Sequence, residues 1–217
     1  MNRVFAPGCA LTLYKPELAK KLLAFLDKEL GGVAEHATCC KHAPGLPSGT
    51  QVINVCAGCD RRYRTLYEGV TTISVWEVLL ESRTFPFPDY KGKEITVQDA
   101  CPTRDQARVH DAIRALLEKM NLRVTEPART RSQGACCGDG LFGSVPLERV
   151  KEQMKKRADE MPVEDVAVYC VSCVKAMAIG GRKPRYMADL LFGESSGGGT
   201  AGLEEWHAEL DAFIKTH

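Results

Sequence analysis

Ten cysteines stand at positions 9, 39, 40, 56 and 59, and again at 101, 136, 137, 170 and 173, with none left over. Each group reads as one Cys, an adjacent Cys-Cys pair, then Cys-x-x-Cys. Counted from the first Cys of each copy, the later members fall at offsets of 30, 31, 47 and 50, and then of 35, 36, 69 and 72. The order is the same and only the loops differ in length. The opening residues, MNRVFAPGCALTLYKPE, lack the apolar core of a secretory signal. A cytoplasmic location is therefore expected, where structural disulfides are rare and cysteines more often bind metals or carry redox chemistry. A lone Cys-x-x-Cys is ambiguous between a thioredoxin-like redox pair, half a zinc site and a pair of cluster ligands. Five thiols per copy exceed the four that tetrahedral zinc takes, and adjacent cysteines make an awkward ligand pair for one small ion. A multi-iron cluster offers several metals to neighbouring thiolates.

The sequence around the cysteines repeats as well. RVFAPGC resembles ITVQDAC, and VINVCAGC resembles VAVYCVSC, so internal duplication is the simplest account. A β-rich run ends at Cys9 and at Cys101, and helices are predicted to open at Pro16 and Pro102. Leu18, Leu22, Leu26 and Leu30 form the apolar stripe of the first helix; Val109, Ile113, Leu116, Leu117 and Met120 form that of the second. These stripes read as core. Each Cys pair then sits in a Gly/Pro-containing loop, followed by an apolar strand (51–55, 165–169) that runs into Cys-x-x-Cys at the start of a helix. Amide N–H groups and the positive end of the helix dipole favour thiolates at such a turn. Strands alternating with helices predict an α/β protein of two repeated Rossmann-like βα halves with pseudo-two-fold symmetry. The expected divisions are a first repeat over 1–90, a second over 91–195, and a linker with a C-terminal helix over 196–217. TFPFPDYKGK (84–93) marks the boundary between the repeats, GESSGGGTAG (193–202) the linker, and 203–215 the last helix.

One Cys, then CCG, then Cys-x-x-Cys, present twice, resembles the cysteine-rich CCG domain. That family includes the catalytic subunit of heterodisulfide reductase and related subunits of glycolate, lactate and succinate oxidising systems. The resemblance spans about residues 1–195. It implies a non-cubane four-iron cluster on each motif, ligated by all five cysteines, with a disulfide cleaved between two such clusters. Carried over, the first cluster falls on Cys9, Cys39, Cys40, Cys56 and Cys59, and the second on Cys101, Cys136, Cys137, Cys170 and Cys173. The second copy keeps Gly138 after its pair, allowing close backbone approach to a bulky cofactor, whereas the first has Lys41. The first copy also has 15 residues between Cys40 and Cys56, against 32 between Cys137 and Cys170, so a helix of the second is missing. Its site is expected to be the more open, and to admit a different cluster or zinc.

Cations and proton donors beside an anionic cluster bear on its potential and its substrate. Lys41, His42 and Arg104 flank motif cysteines, and His42, titrating near neutrality, is a candidate proton donor to a leaving thiolate. Its plainer reading is a satisfied or solvated histidine. His36 has a weaker claim. Arg61, Arg62 and Arg64 read as a solvated helical face, and Tyr63, Trp76 and Tyr169 as packing residues. The chain has 217 residues, 44% of them hydrophobic, with 29 Lys and Arg against 28 Asp and Glu. That is enough for one large domain or two small ones, without a field that would draw nucleic acid or a membrane surface. No stretch approaches the apolar run of about 20 residues that spans a bilayer. The sequence lacks a ferredoxin-type cysteine spacing and any G-x-G-x-x-G dinucleotide fingerprint joining a strand to a helix, so an iron-sulfur or flavin protein must deliver electrons. A small disulfide or thiol is the expected substrate. An electron-transfer adaptor and a structural zinc module are the alternatives.

Overall fold

The structure, a computed structural model, describes residues 2–197 and 202–217; residues 198–201 of the expected linker lie outside them. The described chain forms two compact units, one running up to Phe85 and taking in the C-terminal helix, the other starting at Pro86.

The first unit runs β1 (Arg3–Ala6), α1 (Cys9–Tyr14), α2 (Pro16–Leu30), β2 (Ala34–Glu35), β3 (Thr50–Asn54), α3 (Ala57–Leu66), β4 (Val70–Ser74) and α4 (Val75–Glu81). The second runs β5 (Lys93–Gln98), α5 (Ala107–Lys119), β6 (Leu122–Val124), α6 (Leu147–Asp159), β7 (Asp165–Val168), α7 (Val171–Ile179), β8 (Lys183–Tyr186) and α8 (Met187–Leu191). The last helix, α9 (Leu203–Thr216), belongs to the first unit. Each unit carries a four-stranded, wholly parallel sheet, in the orders β2-β1-β3-β4 and β6-β5-β7-β8. One topology is thus repeated strand for strand in two α/β Rossmann-like halves.

The strands read as apolar runs because helices cover both faces of such a sheet. Val52 and Ile53 of β3 and Val166, Ala167 and Val168 of β7 have no exposed surface. Leu18, Leu22 and Leu26 bury one face of α2, and Val109, Ile113, Leu116 and Leu117 do the same for α5, with Met120 closing its end. Each such side chain contributes about 1.5–3 kcal/mol when fully buried. Pro16 opens α2 at its first turn. Pro102 does not open the long helix of the second unit. It lies in a 3₁₀ turn, Cys101–Thr103, closed by the Thr103 amide and hydroxyl, which both donate to Ala100 O (2.9 and 2.7 Å), and α5 starts only at Ala107.

In both sheets the chain moves outward from the first strand to the second, then returns past the first to the third. The strand order therefore reverses between β1 and β3, and between β5 and β7. Crevices beyond the carboxyl ends of strands at such a reversal are where open parallel sheets bind ligands.

Candidate metal centre

Every cysteine lies beyond the carboxyl end of one of the three strands around that reversal. Cys9 follows β1 and starts α1, Cys39 and Cys40 lie in the loop after β2, and after β3 Cys56 caps α3 with Cys59 in its first turn. In the second unit Cys101 follows β5, Cys136 and Cys137 lie in the loop after β6, and Cys170 caps α7 with Cys173 in its first turn. The amides of a first helical turn lack intrahelical partners and stabilise sulfur anions.

The five thiols of each unit touch in a chain. Hydrogen-bond contacts run Cys9, Cys39, Cys40, Cys59, Cys56 in the first unit and Cys101, Cys136, Cys137, Cys173, Cys170 in the second. The order is the same in both, and the Cys101 and Cys136 sulfurs are 3.7 Å apart. Among the described residues no group of three or more His, Cys, Asp or Glu is arranged to hold a single metal ion.

Donation from neighbouring thiols lowers Cys56 and Cys40 in the first set and Cys136 in the second. The Cys59 thiol donates to Cys56 and, against the cost of burial, brings it down to about 6, helped by the amides of Cys59 and Gly58. Donation to Cys40 and Cys56 pushes Cys59 itself well up. In the second set Cys101 and Cys137 both donate to Cys136, which falls to about 2 with help from the Gly138 and Gly140 amides. Its donors Cys101 and Cys137 rise in consequence. Burial, then repulsion from Cys56, Cys39 and Cys40, raises Cys9 to about 12.

What holds each set differs. Asp99, two residues before Cys101, is buried and accepts both Arg114 Nη atoms (2.7 and 2.8 Å), the Arg131 amide (2.7 Å) and the Tyr169 hydroxyl (3.1 Å). Burial would raise its carboxyl, but the Arg114 bonds win and hold it below the usual carboxylate range. The Tyr169 hydroxyl is also 2.9 Å from Thr103 Oγ1, which lies 3.1 Å from His110 Nε2. Gln98, at the end of β5, donates to Ala135 O just before Cys136 (3.0 Å) and is oriented by the fully buried Arg157 (2.6 Å), which also donates to Arg129 O (3.0 Å). One polar network therefore ties the segments bearing Cys101, Cys136 and Cys170 together.

Around the first set, among the described residues, no such network joins the three loops, and the ties are to loop carbonyls. Arg62 Nε and the Tyr67 hydroxyl both donate to Cys40 O (3.0 Å each), and Tyr67 also reaches His42 O (2.7 Å). Gly8 has φ +78°, and a Cβ there would stand 3.2 Å from Cys56 Cβ and from Cys59 Sγ, so a side chain would crowd the sulfurs. The helix α9 closes over this loop. The Cys39 amide donates to His217 O (2.9 Å), the His42 Nε2–H donates to Ile214 O (2.7 Å), and Phe213, stacked on the His217 ring, lines the cavity beside the thiols. Buried Leu203 and Trp206 anchor the helix. The first site, expected to be the more open, is covered from the chain's far end.

The other sequence candidates fall as follows. Lys41 is exposed, and its amide points at Cys39 Sγ (3.5 Å). His42 is exposed, with its ring held by α9. Arg104 is exposed and donates to Gly134 O (3.2 Å), so it holds the second Cys-pair loop. Gly138 has φ +108°, its amide points at Cys136 Sγ (3.5 Å), and a Cβ there would stand 3.0 Å from Met154 Cγ and 3.1 Å from Met154 N. The close neighbour that requires glycine is thus α6, the helix that the first copy lacks, and Lys41 does not adopt positive φ. Arg64 pairs with Asp60 (2.8 Å). Trp76 and Tyr63 are buried as expected, but Tyr169 is a network member as well as a packing residue. Sequence reasoning missed Asp99, Arg114, Gln98 and Arg157, and it placed the last helix without giving it a part in the site. An Asp directly after an apolar strand and two residues before a cysteine was the one available signal.

No protein-family model matches the chain, and comparison with curated proteins finds no match. Among solved structures, the glutamate racemase isoform RacE1 from Bacillus anthracis aligns over 100% of this chain and 82% of its own, at 13% identity and a TM-score of 0.39. A likeness that slight bears on neither fold nor chemistry. Among the described residues no helix is long and apolar enough to cross a membrane.

Proposed function

We propose that the chain is an iron-sulfur redox protein of the CCG type, holding one multi-iron cluster in each unit and reducing a small disulfide with electrons from an iron-sulfur or flavin partner in the cytoplasm. The observation that supports this most is the pair of five-thiol chains, formed in the same order from the same three strand ends. Soft thiolates are the donors that iron-sulfur clusters take. Both members of each Cys-Cys pair belong to its chain, and Gly8 leaves the sulfurs of its set uncrowded. The residues fit the group.

Bound clusters would supply one-electron steps and iron positions able to receive sulfur. Reduction breaks the S–S bond and takes two electrons and two protons to release two thiols. The ten cysteines hold the clusters. Lys41 places a cation beside Cys39 and Cys40, where a thiolate would leave. Arg104 acts by holding the loop before Cys136. Proton delivery from His42 requires its bond to Ile214 O to break. Closure of the first set by α9 favours a second reading for that site, an electron relay whose cluster never touches substrate.

Anaerobic purification with iron, sulfide and zinc analysis, followed by a reduced-dye assay with several disulfides, tests the proposal. Two multi-iron clusters and disulfide turnover are expected, with Lys41→Ala keeping the iron and changing the turnover. Loaded protein that reduces no disulfide but exchanges electrons rapidly with a partner dehydrogenase is an adaptor. Stoichiometric zinc without sulfide makes it a structural module and overturns both.

A further inference from the structure

The first cysteine set encloses a cavity of about 40 Å³, lined by Cys9, Cys39, Cys40 and Cys59 together with His36, Tyr63 and Phe213. His36 is fixed there by its backbone. Its amide donates to Phe5 O at the edge of β1 (2.7 Å), extending the pairing of β1 with β2, and its ring is tilted against Tyr63 at 6.2 Å. Among the described residues its Nε2 is buried and has no hydrogen-bond partner. A buried ring nitrogen without a partner calls for one, and here the cavity sets four sulfurs beside it, with Thr12, Glu35, Thr38 and Tyr63 the other polar residues of the lining. No histidine stands at the matching place in the second copy, where Gln133 is three residues before Cys136 and is exposed. There the Gly138 and Gly140 amides face Cys136, whereas in the first set the Lys41 amide faces Cys39.

We infer that His36 is the side-chain donor of the first site, its Nε2–H hydrogen-bonding the sulfur of the cluster held by Cys9, Cys39, Cys40, Cys56 and Cys59. This rests on the cluster reading above and deepens it. Hydrogen bonds to cluster sulfurs offset negative charge and raise the reduction potential, so His36 gives the first site a more positive potential than its five thiolates alone would set.

The test uses the full chain loaded anaerobically, with His36→Leu, His36→Gln and, as the matched position in the other set, Gln133→Leu. The first cluster is identified as the signal that Cys40→Ser abolishes. His36→Leu is expected to keep the wild-type iron and sulfide content while moving that signal to a more negative midpoint potential. His36→Gln, which retains an N–H donor, should restore much of the potential, and Gln133→Leu should leave it unchanged. Wild-type protein labelled with ¹⁵N-histidine should show a weak nitrogen coupling in pulsed EPR that His36→Leu removes. An unchanged potential in His36→Leu, no nitrogen coupling, or loss of iron from that variant with the strong coupling of a direct ligand would each overturn the assignment while leaving the cluster reading standing. A wild type without iron and sulfide overturns both.

Discussion

Two residues before Cys101 stands Asp99, buried and held by Arg114, whereas two residues before Cys9 stands Pro7. The same shift from polar to apolar recurs at four more matched positions, while Asn54, buried where the second unit has Val168, runs the other way. Gln98 corresponds to Ala6, Thr103 to Leu11, Arg114 to Leu22 and Tyr169 to Val55, and all four counterparts in the first unit are buried. One backbone topology thus carries two interiors. Around the second set a hydrogen-bonded network fixes three loops from within, and α6 packs against Gly138. Around the first set the loops are fixed from outside, by Arg62, Tyr67 and α9. A buried polar network holds position well only while every member is satisfied, so the second set should tolerate substitution in its surroundings poorly. The first should depend on elements that can be removed without unfolding the sheet.

The largest contrast concerns the sulfurs themselves. Cys137 is the middle of its chain, in contact with both Cys136 and Cys173. On the proposed cluster reading, Cys137→Ser should lose a whole cluster, halving the anaerobic iron count, with the first cluster's signal intact. If the iron of both sites goes, the two sets are not independent and the comparison fails.

Next comes Asp99→Ala, which leaves Arg114 with Glu126 as its remaining carboxylate (2.8 Å) and takes the acceptor from the Arg131 amide and the Tyr169 hydroxyl. Each buried donor left without its acceptor costs about 1–3 kcal/mol, so the second unit should melt earlier in denaturant, while Pro7→Ala at the matched place changes little. Because the native carboxyl titrates below its ordinary value of about 3.9, the unfolded chain binds the proton more readily. The stabilisation from Asp99 is therefore full above that ordinary value and is lost as pH falls through the lower native one. Asp99→Asn should show a smaller loss across that acid window, the rest coming from carboxyls such as Glu126 and Glu160 that are also held low, measured by chemical denaturation at a series of pH values.

Which of these features can be read from the residue string follows from how local their causes are. Strand, helix and cysteine order are written in neighbouring residues: the apolar runs around Val52 and Val166, Pro16 at the first turn of α2, the identical order of cysteine types. The network and the strap are not. Asp99 and Arg114 are separated by a turn and most of a helix, with only ordinary side chains between them. The contacts of α9 join His42 to Ile214, 172 positions away. The 3₁₀ turn at Pro102 is hidden because a proline suits the first turn of either helix type, and it is the Thr103 hydroxyl bond that decides. Gly138 is legible as a close approach, but its neighbour, Met154, lies on the helix filling the longer gap to Cys170.

Removing α9 by ending the chain at residue 202 sharpens the comparison from the other side. The deletion uncovers Cys39 and its neighbours and leaves the network of the second unit untouched. In metal-free protein, Cys9, Cys39 and Cys40 should then be alkylated faster, resolved thiol by thiol in digested protein by mass spectrometry, while the rates at Cys101, Cys136 and Cys137 stay the same. Equal rates with and without α9 would mean that the helix does not cover the first set in solution.

The smallest expected effect lies in the two side chains that hold the first Cys pair by its carbonyl. Arg62 Nε and the Tyr67 hydroxyl converge on Cys40 O at 3.0 Å each, and Tyr67 reaches His42 O as well. Neither bond is deeply buried, so water can replace a lost donor, and a typical bond of this kind contributes about 0.5–1.5 kcal/mol. Tyr67→Phe and Arg62→Ala should each cost about 1 kcal/mol on that scale. Because they share one acceptor, the double variant should cost less than the sum, since either donor alone keeps the carbonyl paired. Equilibrium denaturation of the four proteins in a double-mutant cycle measures that coupling. Strict additivity would mean that the two donors contribute independently and do not act through one carbonyl.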